Sequence, residues 1–253
     1  MSLLSRIFLL IVAGLKFGKL FATLGTMLLS IGVYALVFGW RYAVGFVAML
    51  FIHEMGHYAA ARQRGLRVSL PMFIPFAFAW VKLEDTPHDA ETDAYVALAG
   101  PMVGTLGALA AYFIARNDGS QWLLAVSYAG FFINLVNLIP LPPLDGGRIT
   151  AVLSPRIWLL GVPILGALLW FQFSWILVLV AVLAFPHVVA ALRHDPNSPQ
   201  AQAYYAVSPR TRWEYGFVYV VLICFLAMMT NDVHEQLHGG RHPDAEPAQT
   251  ESV

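Results

Sequence analysis

Charged residues are scarce. Of 253 residues only 12% are Asp, Glu, Lys or Arg, against about 25% in an average soluble domain. The formal net charge is zero, so no global field draws the chain to nucleic acid or to an acidic partner. Cysteine is nearly absent. Cys224 alone permits no disulfide within the chain and no thiolate metal cluster, and it reads as a small apolar residue, buried or facing lipid. Long polar stretches are also lacking before the C-terminal region. What fills the chain instead is apolar: 58% of it is hydrophobic, which predicts an all-α polytopic membrane protein.

A helix needs roughly 20 apolar residues to cross the hydrocarbon. Candidate spans lie at 20–39, 43–61, 95–115, 121–139, 157–172, 173–192 and 213–230, about six to seven helices because the fifth and sixth run together at "WFQFSW". Residues 1–19 read as an interfacial segment, since their apolar run is short and ends in Lys16 and Lys19. No small-residue cleavage site with a polar sequel follows, as a signal peptide would require. The core is expected over 20–192, a cytoplasmic loop over 193–212, a last span over 213–230 and a polar, disordered tail over 231–253. In that tail His234, His238 and His242 are read as solvated.

Lysine and arginine set the orientation. With residues 1–19 cytoplasmic and the spans alternating, Arg6, Lys16, Lys19, Arg62, Arg64, Arg67, Lys82, Arg148, Arg156, Arg193, Arg210 and Arg212 fall inside. Arg41, Arg116 and Arg241 fall outside. That is the positive-inside bias.

Within this apolar chain, "FIHEMGHYAA" (51–60) stands out. Ionisable groups at membrane depth are costly and point to function. On a helix, His53 and His57 share a face, so both imidazoles aim at one point, as two ligands of a zinc ion do. Glu54, beside the first ligand, is placed to take a proton from the water that the metal acidifies. Gly56 leaves room for that water or for close helix packing. The bland alternative is a chance match in a helix, but a buried polar cluster in lipid has no water to fall back on.

A third ligand must come from elsewhere. The acids Glu84, Asp85, Asp89, Glu91 and Asp93 crowd one polar loop and read as solvated. "NLVNLIPLPPLDGGRI" (134–149) differs. Asn134 and Asn137 lie in an apolar run, Pro140, Pro142 and Pro143 stop the helix, and Asp145 follows. Broken helix at membrane depth is tolerated where it is buried in protein or lines a polar cavity. Asp145 is thereby level with the histidines.

HEMGH on one helix and "NLIPLPPLDGGR" on a later one resemble the paired motifs of the site-2 protease family of intramembrane zinc metalloproteases. "ALAGPMVG" (97–104) resembles the family's Gly-Pro segment, but Met102, Val103 and Gly104 stand where Leu-Ala-Asn is commoner, so no polar role is carried onto it. The resemblance covers roughly residues 43 to 150. It implies one Zn2+ per chain held by His53, His57 and Asp145, with Glu54 catalytic. It implies that Asn137 helps bind substrate or stabilise the transition state. Partners are then the lipid bilayer and a membrane-anchored protein substrate, and the expected location is a bacterial inner membrane with the site toward the cytoplasm. With no room for a PDZ or CBS domain, the chain reads as a minimal form of the family.

Two other classes remain open: a membrane metal transporter, which would favour ligands at several depths, and an inactive relative acting as a binding protein. After HEMGH, "VSLPMFIPFAFAWVKLED" (68–85) is too short and proline-broken to span. It reads as a re-entrant or β-like loop whose edge could pair with extended substrate, or as a surface loop packed on the core.

Overall fold

The computed structural model describes residues 3–75, 78–171, 175–193, 195 and 197–239. Nine helices and one short hairpin are present among them: α1 (Leu3–Phe38), α2 (Trp40–Gln63), β1 (Met72–Ile74), β2 (Phe78–Trp80), α3 (Ala90–Asp118), α4 (Gln121–Asn137), α5 (Asp145–Ala151), α6 (Trp158–Phe171), α7 (Trp175–Leu192), α8 (Pro199–Tyr204) and α9 (Pro209–Gly239). Each expected span coincides with a helix. Three helices are long and apolar enough to cross a membrane, Gly18–Phe38 within α1, α3 and α9, while Pro155–Phe171 and Leu177–Leu192 are shorter apolar helices.

The segment expected to lie apart at 1–19 continues into the first span: α1 runs unbroken from Leu3. No proline interrupts it, and one glycine in a turn costs only about 1 kcal/mol relative to alanine. Gly39 then separates α1 from α2 with φ 83°, a conformation that favours glycine. One residue thus reverses the chain.

The expectation of disorder from residue 231 is corrected over 231–239, which complete α9. Polar side chains extend that helix past its apolar part. Asn231 donates to Glu235, Gln236 donates to Asp232, and the His238 ring nitrogen bonds the His234 carbonyl. Residues 240–253, with His242, lie outside the described residues. The loop at 193–212 carries the short helix α8, capped by Ser198. Arg212 fixes its end by donating to the carbonyls of Leu153, Tyr205 and Val207.

The buried core joins α3, α4 and α9 through residues such as Ala108, Tyr112, Phe131 and Leu226. α2 packs between this core and α1. By contrast, Leu36, Phe38, Leu106, Phe113, Trp170, Phe171 and Phe217 are exposed. An apolar surface this extensive marks contact with a nonaqueous phase, and the molecule is a membrane protein by its apolar helices.

Within 68–85, β1 and β2 pair as a two-stranded antiparallel hairpin in which Phe73 faces Ala79. It is prolonged by a bridge between Val68 and Leu83 and by hydrogen bonds from Ser69 N–H to Lys82 and from Glu84 N–H to Arg67. Lys19 of α1 holds its end through Glu84 at 2.9 Å, and Arg67 grips Asp85 at 2.7 Å.

Candidate metal centre

α2 carries His53 and His57 one turn apart, and α5 begins at Asp145. The three side chains converge. His53 Nε2 lies 3.1 Å from His57 Nε2, and Asp145 Oδ2 lies 3.2 Å from the first and 3.3 Å from the second. These residues and Glu54 are at most 7% exposed. Among the described residues this is the one group able to hold a metal ion.

The outer ring nitrogens decide what the inner ones carry. His57 Nδ1 is 2.8 Å from the Val96 carbonyl, which only accepts, so Nδ1 donates. His53 Nδ1 is 2.8 Å from Asn134 Oδ1. Asn134 spends its amide N–H on the Gly130 carbonyl, so its oxygen faces His53 and that Nδ1 donates as well. The tautomers inferred from these partners leave both Nε2 atoms as lone pairs. Two lone pairs and a carboxylate oxygen crowded together repel unless a cation lies between them.

A zinc tetrahedron with bonds of ~2.0–2.1 Å has edges of ~3.3–3.4 Å. The observed separations of 3.1, 3.2 and 3.3 Å reach those edges or fall slightly short of them, and an N2O donor set with histidines fixed from behind suits zinc. The residues present fit the ion.

Glycines bring the elements this close. A Cβ on Gly56 would come within 2.5 Å of the Ala99 carbonyl oxygen, so α2 and α3 meet backbone to backbone. A Cβ on Gly100 would enter the His57 ring, and one on Gly104 would enter the Asn134 amide. This gives "GPMVG" a packing role, for which Gly104 suits better than a polar residue. Gly146 and Gly147 pack on the backbone of Leu138, Ile139, Leu141 and Pro142. Trp158 donates to the Gly147 carbonyl at 2.7 Å, and Tyr219 donates to the Leu138 carbonyl.

Glu54 stands beside the ligands, and the Val81 backbone just past the end of β2 lies near its carboxylate, so the hairpin borders the site. Asn137, expected to act on substrate, donates to the Ile133 carbonyl of its own helix at 3.1 Å. Asn134, noticed in the sequence but given no role, is the asparagine that touches a ligand. Its signal was polarity in an apolar run. Arg148 donates to Asp93 Oδ1 through Nε at 3.0 Å and Nη2 at 2.7 Å, so the loop acids are not all solvated as expected. Tyr204 of α8 reaches the other Asp93 oxygen at 3.4 Å. Burial and the nearby Asp93 charge push the Tyr204 hydroxyl well above its usual range, which keeps it a donor.

A buried two-histidine, one-carboxylate centre with a free glutamate beside it, set in an apolar helical bundle, defines a metal-site membrane protein. Comparison with known proteins agrees. The model of peptidase family M50 matches residues 41–129, a stretch that includes His53, Glu54 and His57. The probable chloroplastic zinc metalloprotease EGY2 of Oryza sativa subsp. indica is 26% identical over a 228-residue alignment, covering 68% of this chain and 40% of that protein. Zinc metalloprotease MJ0392 of Methanocaldococcus jannaschii is 29% identical over 125 residues, covering 44% of this chain and 36% of that protein. The matches span less than half the length of these relatives. The chain resembles the site-2 protease family, as its two motifs indicate.

Proposed function

We propose that this chain is an intramembrane zinc metalloendopeptidase of the site-2 protease type, hydrolysing peptide bonds within or near the spans of membrane-anchored proteins. The observation that carries this is the convergence of His53 Nε2, His57 Nε2 and Asp145 Oδ2 next to Glu54. When bound there, zinc supplies Lewis acidity to a carbonyl oxygen and lowers the pKa of a water toward ~7.

This chain's residues do the rest. His53, His57 and Asp145 hold the ion. Glu54 takes the proton of the attacking water and returns it to the leaving amine. The resemblance assigns oxyanion stabilisation to Asn137, whose amide is available for it once its bond to the Ile133 carbonyl opens. The hydrolysis consumes water, so a polar path from the cytoplasmic side must reach the site. A substrate helix must unwind to expose its carbonyls, and the hairpin at 68–85 offers a strand edge beside Glu54 for the unwound segment.

The lysine and arginine distribution supports an orientation with the site near the cytoplasmic face, and a bacterial cytoplasmic membrane is the proposed location. No nucleic acid partner is proposed. The transporter alternative would favour further ligand groups along a path, and among the described residues there is one group.

The test uses purified protein and a membrane-anchored reporter. Wild type is expected to carry about one zinc per chain and to cleave. His57→Ala should lose most of the metal. Glu54→Gln should keep the metal and lose cleavage, because an amide accepts no proton from water. Undiminished turnover in Glu54→Gln would remove Glu54 from the chemistry.

A further inference from the structure

Asp145 uses one oxygen, Oδ2, toward the histidines. Its other oxygen, Oδ1, faces Arg148 Nη1 at 4.0 Å. Aspartate and arginine stand at i and i+3 on α5, on one face of the helix. The separation is long for a hydrogen bond, so the attraction is between charges or through one water. The guanidinium itself is not free to follow the carboxylate. Two of its nitrogens are clamped to Asp93 Oδ1 on the first turn of α3, and Asp93 is held from behind by Tyr204. Two carboxylates thus share one cation at fixed distances, and only one of them faces the histidines.

We propose that Arg148, clamped by Asp93, is the positioning residue that draws one oxygen of Asp145 away from the metal centre and leaves the other as ligand. This deepens the metalloprotease reading and rests on it. A carboxylate without such a partner would be free to rotate, bind through both oxygens and close the open coordination position that substrate needs. The clamp also joins three parts of the chain: α3, which lies against His57, α5, which supplies the ligand, and α8 of the cytoplasmic loop.

Zinc affinity by chelator competition and the visible spectrum of the Co2+-loaded protein test this without any turnover. Arg148→Gln and Asp93→Asn are each expected to weaken zinc binding about 10–100-fold and to change the Co2+ band intensity, as the coordination changes. Arg148→Lys should recover part of the affinity, because it keeps the charge. The double variant Arg148→Gln, Asp93→Asn should bind within about twofold of the weaker single variant, since both break one clamp. Thermal unfolding midpoints identify variants that fold. If Arg148→Gln does not fold, Arg148→Lys and Asp93→Asn decide. Wild-type affinity and spectrum in the folded variants would overturn the positioning role alone. Wild-type protein that binds neither Zn2+ nor Co2+ would overturn the reading of the site and this inference with it.

Discussion

Asn134 and Asn137 are three residues apart on α4, and they face different tasks. Asn134 accepts from His53, while Asn137 turns its amide back to Ile133. Asn134→Ala leaves the His53 Nδ1 proton without its acceptor, so zinc affinity is expected to fall about 10–100-fold. Asn137→Ala should leave zinc affinity within about threefold and lower kcat by about 10²–10³ if it meets the oxyanion. Chelator competition and reporter cleavage separate the two, and zinc loss in Asn137→Ala would reverse the assignment. The histidines were legible because i and i+4 fix a shared face by helix geometry alone. Asp145 was legible because prolines and glycines announce broken helix. The role of Asn134 was not, since its partner is distant in sequence. The fit of Gly100 to the His57 ring and of Gly104 to Asn134 depends on which helix packs against which, and local spacing does not carry that.

At the scale of elements, two of the hairpin's connections can each be cut by a single substitution. One is the Val81 backbone N–H, which lies near Glu54. Proline there removes the donor, and proline at Ala79 or Trp80 breaks the edge. Cleavage is expected to fall at least about tenfold, a modest share of what a positioned acid or base contributes, while zinc content holds. The loss should be smaller for a substrate already carrying glycine or proline near its cleavage site. Unchanged cleavage across all three variants would reject a substrate-holding hairpin.

The other connection is Asp85 with Arg67. Hydrogen bonds from the Arg67 side chain and backbone N–H hold the Asp85 carboxyl down at about 2, below its usual 3.8. A carboxyl depressed in the folded state stabilises it fully above 3.8, and the effect fades as pH falls toward 2. The pair is solvent-exposed, so the effect is small. Amide exchange at Ser69 and Glu84, measured in titration from pH 5 to pH 2.5, should speed up over that window beyond the intrinsic rate. Arg67→Gln should remove the excess. The sequence showed this hairpin as extended chain through its aromatic and branched residues. It missed the length of α9, because "NDVHEQLHG" is polar. Hydropathy marks where lipid ends, whereas i, i+4 side-chain pairs decide where a helix ends.

Over the whole molecule, α1, α3 and α9 are long and apolar enough to cross a membrane, and counting α2 and α4 as further passes, as the candidate spans of the sequence do, keeps the number odd. The apolar pair α6 and α7 adds two or none, so parity holds either way. The two ends of the described chain are therefore expected on opposite sides, the end of α9 outside. Cysteines placed at Ser5 and at Gly239 in a Cys224→Ser background should differ in labelling by an impermeant maleimide in intact cells. Labelling of both from one side would refute this topology. The helix positions were legible at this scale because composition alone separates apolar helix from loop. The number of crossings was not, since α6 and α7 are short enough to sit on either side of the criterion.

The metal centre also has a history in time. Two of its ligands are on the second helix to leave the ribosome, and the third follows about 90 residues later, which at about 5–20 residues per second is a wait of roughly 5–20 s. Through most of that interval α2 carries two histidines and a glutamate with neither Asn134 nor Asp145 yet made. A nascent chain arrested before Asp145 has no complete site to load. Metal binding, and with it the proposed activity, waits until the last ligand arrives.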